Sequence, residues 1–305
     1  MNGREGMKPI AVVIPTRDRG ANAAEAAKAV LRDRSEFELV VVDQNSNDET
    51  EEALRAIEPD CRLRVIRSPL RGISNARNTG VAAASAPIIA FTDDDCRPCP
   101  GWASSMLRVF DDPDAALVFG RVHLPPASHV NGFGVSFEPE RRVLQGEVPT
   151  PDAGVGIGAN FAIRRWVLEQ LGGFDPLLGV GAPFFRAGED LDLLIRAVHA
   201  GHRVVNAREC DVLHLGVRRG ADIRPLAIHY QVGTGAALGK HARLTGLAGL
   251  RDALRWTRFY TSEAVRNTAR QRRSKLGAPC YFVAGALLTL RYRMDRVNAM
   301  FRTRF

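Results

Sequence analysis

Ile88-Ile89-Ala90-Phe91-Thr92-Asp93-Asp94-Asp95 runs an apolar stretch directly into three consecutive carboxylates. A short apolar run closed by polar residues reads as a buried strand, so the acids emerge at its C-terminal end. Open α/β sheets bind their ligands at that edge. Three adjacent carboxylates repel one another unless a cation sits among them. A divalent ion that also carries phosphates suits the place, because Mg²⁺-like ions take one or two carboxylates and complete their shell with phosphate oxygens and water. A solvated acidic turn capping the helix that begins near Pro100 is the alternative, and these residues alone leave both open.

Upstream, Ile10-Ala11-Val12-Val13-Ile14 is a β-branched run of the kind buried on both sheet faces; Pro15-Thr16-Arg17 ends it, since proline is excluded from central strands. Ala23 to Leu31 reads as a helix, Leu39 to Val42 as a strand closing on Asp43-Gln44-Asn45-Ser46, and Leu63 to Ile66 as a third strand. Asp48 followed three residues later by Glu51 resembles a capping box for an intervening helix with Leu54 and Ile57. This alternation predicts βαβ units and a parallel sheet. In Arg71-Gly72-Ile73-Ser74-Asn75-Ala76-Arg77, Ser74 is the expected N-cap of a helix whose first-turn N–H groups suit phosphate, with Arg71 and Arg77 as charged donors. A surface arginine pair is the plainer reading of those residues. The order decides: three successive strands end in Pro15-Thr16-Arg17, Asp43-Gln44-Asn45 and Asp93-Asp94-Asp95, which puts all three polar sets at one sheet edge.

These stretches, together with Asn160-Phe161-Ala162-Ile163-Arg164-Arg165, Gly172-Gly173-Phe174-Asp175 and Gly188-Glu189-Asp190-Leu191-Asp192-Leu193, resemble the ordered motifs of family 2 glycosyltransferases over about residues 8–215. The resemblance implies the GT-A fold, a Rossmann-like nucleotide-binding mixed sheet flanked by helices. It also implies inverting transfer of a sugar from a nucleotide-diphosphate donor to an acceptor hydroxyl. Asp93 to Asp95 look like the family's DxD motif, with Asp93 and Asp95 holding Mn²⁺ or Mg²⁺ and Asp94 beside the sugar nucleotide. Pro15, Thr16, Arg17, Asp43, Gln44 and Asn45 match nucleoside-pocket positions, and Arg71 and Arg77 match diphosphate contacts. Gln44 departs from the second acid found in many members. An amide both donates and accepts where a carboxylate only accepts, so guanine and thymine stay open beside uracil.

Downstream, Trp102, Met106 and Val109 share a helix face and read as core, and Leu117 to Gly120 as a strand. Pro125 to Pro151 reads as a long loop over the site. Val155 to Ile163 reads as a strand, where Gly154, Gly156 and Gly158 leave room for a ligand or another backbone. Leu171 precedes the helix stop Gly172-Gly173. Glu189-Asp190-Leu191-Asp192 opens a helix with Leu191, Leu194, Ile195 and Val198 on its buried face. Acids in a first turn are favoured by the helix dipole alone; the resemblance makes Asp190 the general base, with Glu189 second. His214 ends the strand Asp211-Val212-Leu213; a core or acceptor-contacting role is the plainer reading, and the residue is carried as a candidate third metal ligand.

The 305 residues are 45% hydrophobic and 25% charged, ordinary globular composition, with net charge +8. The charge is uneven: from Gly216 onward 18 Lys and Arg face 4 Asp and Glu, whereas the first 215 residues hold 24 basic and 30 acidic groups. Five cysteines, odd in number and irregularly spaced, fit a reducing compartment. Cys96 and Cys99 lack a second pair for a zinc site. Met1 to Pro9 has no apolar signal-peptide core, and no uncharged run reaches the ~20 residues of a membrane span. A cytoplasmic protein is expected, divided into a catalytic domain over 1–215 and a basic helical C-terminal region over 216–305. In that region Leu250, Leu254, Trp256, Phe259 and Tyr260 interleave with Arg251, Arg255 and Arg258, and Arg270 to Lys275 is a charge cluster. The uncharged Leu276 to Leu290 follows, shaped like an interfacial anchor. It is expected to sit peripherally at the inner membrane face, near a lipid-linked or saccharide acceptor of the cell envelope; a helical appendage packed on the catalytic domain is the alternative. A basic nucleic-acid binder would leave the acid cluster unexplained. A sugar-nucleotide pyrophosphorylase would open with a Gly-rich basic loop where Pro15-Thr16-Arg17-Asp18-Arg19 stands.

Overall fold

Buried β-branched runs set the frame. The computed structural model describes residues 8–47, 49–57, 60–126, 134–140, 142–218, 221, 223–269 and 277–302. Strands Ile10–Thr16 (β1), Glu38–Asp43 (β2), Leu63–Arg67 (β3) and Ile88–Thr92 (β4) lie parallel in the order β3-β2-β1-β4. Helices Gly20–Leu31 (α1), Thr50–Arg55 (α2) and Ile73–Ala83 (α3) connect them. β1 and β4 are buried along their whole length, so both sheet faces are covered, as such runs require.

The second half of the sheet is mixed. It comprises Cys96–Pro98 (β5), Ala115–His123 (β6), Arg142–Leu144 (β7), Asn160–Arg164 (β8) and Arg203–His214 (β9), with helices Trp102–Val109 (α4), Arg165–Gln170 (α5) and Glu189–His199 (α6) between them. The order continues β4-β8-β6-β9-β5. β8 runs antiparallel to both neighbours, and β6 parallel to β9. β5 pairs with β9 so that Cys96 faces His214, which carries that histidine to the acid cluster. Trp102, Met106 and Val109 are buried in the core, and Trp102 donates its indole N–H to Asn160 Oδ1 at 2.9 Å.

Several local expectations change. β1 continues through Pro15, which pairs with Val42; the ladder to β4 stops at Val13, so Pro15 has a strand on one side only and its missing N–H is tolerated. Gly72, with φ +103°, precedes α3 in place of Ser74, whose hydroxyl instead donates to Leu178 O at 2.7 Å. Val155 to Ala159 is not strand. Asn160 N–H bonds back to Ile157 O, and Gly156 lies so close to the Phe119 ring that a Cβ there would fall 2.0 Å from it. The stretch read as a loop contains β7, and Phe137 exchanges backbone hydrogen bonds with Val122; segments this short carry no readable periodicity. Asp48 of the expected capping box and the cluster Arg270 to Lys275 lie outside the described residues.

The C-terminal helices Ile223–Thr245 (α7), Leu247–Ala269 (α8) and Gly277–Leu288 (α9), followed by the hairpin Arg293–Asp295 (β10) and Met300–Arg302 (β11), pack back on the sheet domain. α7 and α9 touch backbone to backbone: a Cβ on Gly235 would sit 1.9 Å from Phe282 O. From α7, Lys240 enters the core with no solvent exposure and pairs with Asp175 at 2.9 Å and Asp192 of α6 at 2.7 Å. Asp192 also binds Arg196 and His241. Among the described residues no helix is long and apolar enough to cross a membrane.

Candidate active site

The C-terminal ends of β1, β2 and β4 open into a cavity of about 500 Å³. Pro15, Thr16, Arg17, Gln44, Asp93, Asp94, Asp95 and His214 all line it, so four separated stretches of chain converge as their order in the sequence implies. Other expected residues stand elsewhere. Asp43 is buried and accepts hydrogen bonds from the Ser46 N–H and hydroxyl, holding the loop that carries Gln44. Asn45 and Arg71 are exposed and do not line the cavity. Asn45 accepts a bond from Arg67 instead. Arg77 lies beneath a second cavity.

The three acids have different neighbours. Asp94 accepts from Thr16 Oγ1 at 2.9 Å and Arg19 at 2.8 Å. Arg19 also reaches Asp95 at 3.1 Å, and Asp95 lies 3.4 Å from His214 Nε2. Asp93 lies 3.4 Å from Arg77. Burial pushes the Asp93 carboxyl up to about 7; Arg77 opposes this, and the neighbouring charges of Asp95, Asp94 and Glu189 add to it. Burial likewise raises Asp94 against the pull of Arg19. A site that holds carboxylates this reluctantly favours a cation.

The donor set fits a hard divalent ion. Asp95, Cys96 and His214 bring ligand atoms within 4.8 Å of one another, but burial and the nearby acids lift the Cys96 thiol well above its ordinary value. That leaves the Asp95 carboxylate and one imidazole, ligand types that suit Mn²⁺ or Mg²⁺; Asp93 does not fall in this group of ligand atoms. Burial holds His214 below its usual pKa although Asp95 raises it, so the ring is neutral at pH 7. Its Nδ1 is buried without a hydrogen-bond partner among the described residues.

A second cavity of about 340 Å³ shares Ile73, Asp93, Val135, Val180, His214 and Tyr230 with the first. At its base lies the N-terminus of α6. Asp190 Oδ2 accepts from Gly158 N at 2.7 Å and Oδ1 from Leu191 N at 2.8 Å. Glu189 is buried and bonded to Arg77 at 3.0 Å. Burial and the adjacent Asp190 charge raise its carboxyl to about 7 against the attraction of Arg77. Arg77, 1% exposed, donates further to Gly158 O and lies over the rings of Phe161 and Phe174 at 5.3 and 5.6 Å. Gly188 leads into α6 with φ +91°, and a Cβ on it would stand 2.5 Å from Gly233 O of α7. Glycine at both positions lets the C-terminal region press against the start of α6.

Several lining residues were not read from the sequence as residues of the site. Arg19 binds two of the three acids, and the basic loop after β1 was the available signal. Arg218 and Tyr230 line the first cavity from the C-terminal region, while Trp256 and Tyr260 line the second from α8. Nothing in a helical periodicity marks these residues.

The family model described as Glycosyl transferase family 2 matches residues 11–172. The chain belongs to glycosyl transferase family 2. This family 2 chain is 32% identical to a pre-mycofactocin glycosyltransferase of Mycobacterium tuberculosis over 206 residues, 65% of this chain and 40% of that one. It is 28% identical to glycosyltransferase AglE of Haloferax volcanii over 206 residues, 66% of this chain and 64% of the other. The match thus spans well under half of the mycobacterial relative's length. Among solved structures, a mannosyltransferase of Pyrobaculum calidifontis in complex with GDP-Man and Mn²⁺ superposes with TM-score 0.62 at 20% identity, covering 93% of this chain and 81% of that one. S. aureus TarS superposes with TM-score 0.55 at 17% identity, over 76% and 40% of the two chains. The fold is GT-A.

Proposed function

We propose that this family 2 chain is an inverting glycosyltransferase that moves a sugar from a nucleoside-diphosphate sugar to an acceptor hydroxyl, with Mn²⁺ or Mg²⁺ bound at Asp93, Asp95 and His214. The observation that carries this reading is the meeting of the two cavities at Asp93, with the acid cluster on one side and Asp190 on the other. The nucleoside occupies the groove of Pro15, Thr16, Arg17 and Gln44. Gln44 Oε1 already accepts from Gly72 N–H at 2.8 Å, which leaves its NH₂ group to meet a base carbonyl such as guanine O6 or uracil O4. The N-terminus of α3 contributes less than its position suggests, because Gly72 and Ile73 spend their N–H groups on Gln44 and Val180.

When bound, the divalent ion supplies charge stabilisation for the departing diphosphate. Asp190 supplies the base. Its carboxylate takes the acceptor hydroxyl's proton as that oxygen bonds to the anomeric carbon, and the carbon–oxygen bond to phosphate breaks with its electron pair leaving on the diphosphate. Attack from the second cavity on a sugar held by the first is displacement from the far side, which inverts the anomeric centre. Glu189, bonded to Arg77, holds α3 and α6 together beneath this junction and is the second choice for the base. Residues 1–215 then act as the catalytic domain. In the C-terminal region, exposed Leu247, Leu250 and Leu254 alternate with Arg251, Arg255 and Arg258 on one groove of α8. That face suits peripheral association with anionic lipid and favours a role in cell-envelope polysaccharide or glycolipid assembly.

Calorimetry with a panel of nucleoside diphosphates and Mn²⁺ tests the donor half. Binding of at least one, reduced roughly tenfold or more in Asp93→Asn/Asp95→Asn, is expected, and unchanged affinity in that variant would overturn the metal assignment. Asp190→Asn is expected to keep nucleotide affinity and lose transfer by roughly 10²–10⁴-fold, the usual contribution of a positioned base.

A further inference from the structure

Resting on that reading, the second cavity carries information about the acceptor. Its upper wall comes from the C-terminal region: Tyr230 and Thr234 of α7, Trp256 and Tyr260 of α8. Trp256 is 3% exposed, and its indole N–H is held by Pro149 O at 3.0 Å. Tyr260 lies against Trp256 and Phe282, with ring centroids 6.1 and 5.4 Å apart, and its hydroxyl stands beside Gln231 and Thr234. These rings are therefore fixed in place by the core and, for Trp256, by its own polar end. Opposite them, Val155, Ile157 and Ala159 add apolar surface.

Acidic side chains outnumber basic ones in this cavity among the described residues. Asp93, Glu189 and Asp190 line it, while the cation that lines it, Arg77, is already bound to Glu189, Asp93 and Gly158 O. The other titratable lining groups are His214, assigned above to the metal, and the phenol of Tyr230. With the divalent ion's charge met by the donor diphosphate, a phosphate or carboxylate brought beside Asp190 would meet like charge, and among the described residues no unpaired cation lines the cavity. At about 340 Å³ the cavity is also at the small end of the ~300–1,000 Å³ usual for small-molecule sites.

We propose that the second cavity is an acceptor subsite for a neutral or amine-bearing saturated ring, a pyranoside or cyclitol, whose C–H face rests against Tyr260 and Trp256 and whose hydroxyl meets Asp190. Acceptors that carry an anion on that ring are refused. A lipid-linked acceptor is admitted only where neutral sugar separates its phosphate from the reacting hydroxyl. Sugar C–H groups favour aromatic surface because both are apolar and the ring face complements the π-system.

The test uses the full chain with Mn²⁺ and whichever nucleoside diphosphate binds by calorimetry. Saturation-transfer NMR and competition titration are run with methyl hexopyranosides and 2-amino-2-deoxyhexosides, and with the same rings bearing a 6-phosphate or 6-carboxylate. The neutral and amino rings should bind at least tenfold more tightly than the anionic ones. Tyr260→Leu should weaken them at least fivefold and leave nucleotide affinity unchanged. Val155→Lys, which adds a cation to the wall, should narrow the discrimination against the 6-phosphate several-fold. If nucleotide binds but no ring does, or the anionic rings bind equally well, or both variants leave ring affinities alone, the subsite is wrong while the donor site stands. If no nucleoside diphosphate binds at all, the proposed glycosyl transfer fails first.

Discussion

Gln44 holds the site together through Gly72, and in the proposed reading the same side chain meets the base. With Oε1 committed to Gly72, only donors remain for the base. Gln44→Glu replaces those donors with acceptors beside a carbonyl and leaves a buried charge poorly placed. Affinity for the preferred nucleoside diphosphate is expected to drop roughly 10- to 100-fold, in keeping with the ~1–3 kcal/mol of a mispaired buried polar group. Calorimetry of the two proteins measures it, and equal affinities would remove Gln44 from base recognition. Residues that announce themselves in sequence are those whose chemistry is costly without a partner. Asp93, Asp94 and Asp95 could be read as a site because consecutive acids after a buried strand demand compensation. Arg77 was legible only as a charge. Its position among Glu189, Asp93 and three phenylalanine rings depends on contacts that reach as far as 112 residues along the chain. Tyr230, Trp256 and Tyr260 look like any helical aromatics until the helices that carry them are placed.

Elements were legible in proportion to their regularity. β1, β2 and β4 are continuous β-branched runs and their burial follows; β7 is three residues long, and residues 155–159 turn where glycines invited a strand. The element that most needs the rest of the chain is α6. Its first turn presents Glu189 and Asp190, and two residues further in, Asp192 is clamped from α7 by Lys240 and His241 and from its own helix by Arg196. Burial alone would raise the Asp192 carboxyl, but Arg196, Lys240 and His241 outweigh it and hold the group well below the ordinary carboxylate range. The native state therefore binds this proton less readily than the unfolded chain does. The stabilisation is complete above the unfolded value near pH 4 and is lost progressively as pH falls from there toward the depressed folded value. Asp192→Asn is expected to lose about 3–5 kcal/mol at pH 7, since it strands buried cations. Its deficit relative to the parent should shrink between pH 5 and pH 3. Denaturant melts across that range provide the check; a deficit independent of pH would mean that the carboxylate is not what joins α6 to α7.

At the scale of the whole molecule, the imbalance of charge between the two parts has two outlets. Lys240 goes inward, where it neutralises Asp175 and Asp192, while Arg251, Arg255 and Arg258 remain on α8 beside exposed leucines. The outward set predicts binding to vesicles containing anionic lipid, strongest at low salt because exposed charges are screened within roughly 10 Å at 0.1 M salt. Arg251→Glu/Arg255→Glu/Arg258→Glu should abolish co-flotation with such vesicles while nucleotide affinity is kept. Vesicle binding that survives this reversal, or its absence in the parent at low salt, removes the membrane reading. Removing residues 216–302 is the wrong instrument for the question, because it leaves two fully buried aspartates without their lysine.

The buried lysine has a consequence for anyone who would re-engineer this chain. The helices that wall the second cavity also deliver the charge that lets the sheet domain close, so substrate taste and structural integrity travel on one cassette. A chimera that imports another member's helices will inherit that member's preferences only if the graft brings an ammonium group to Asp175 and Asp192. Without one, the two aspartates should be replaced by neutral residues in the same step.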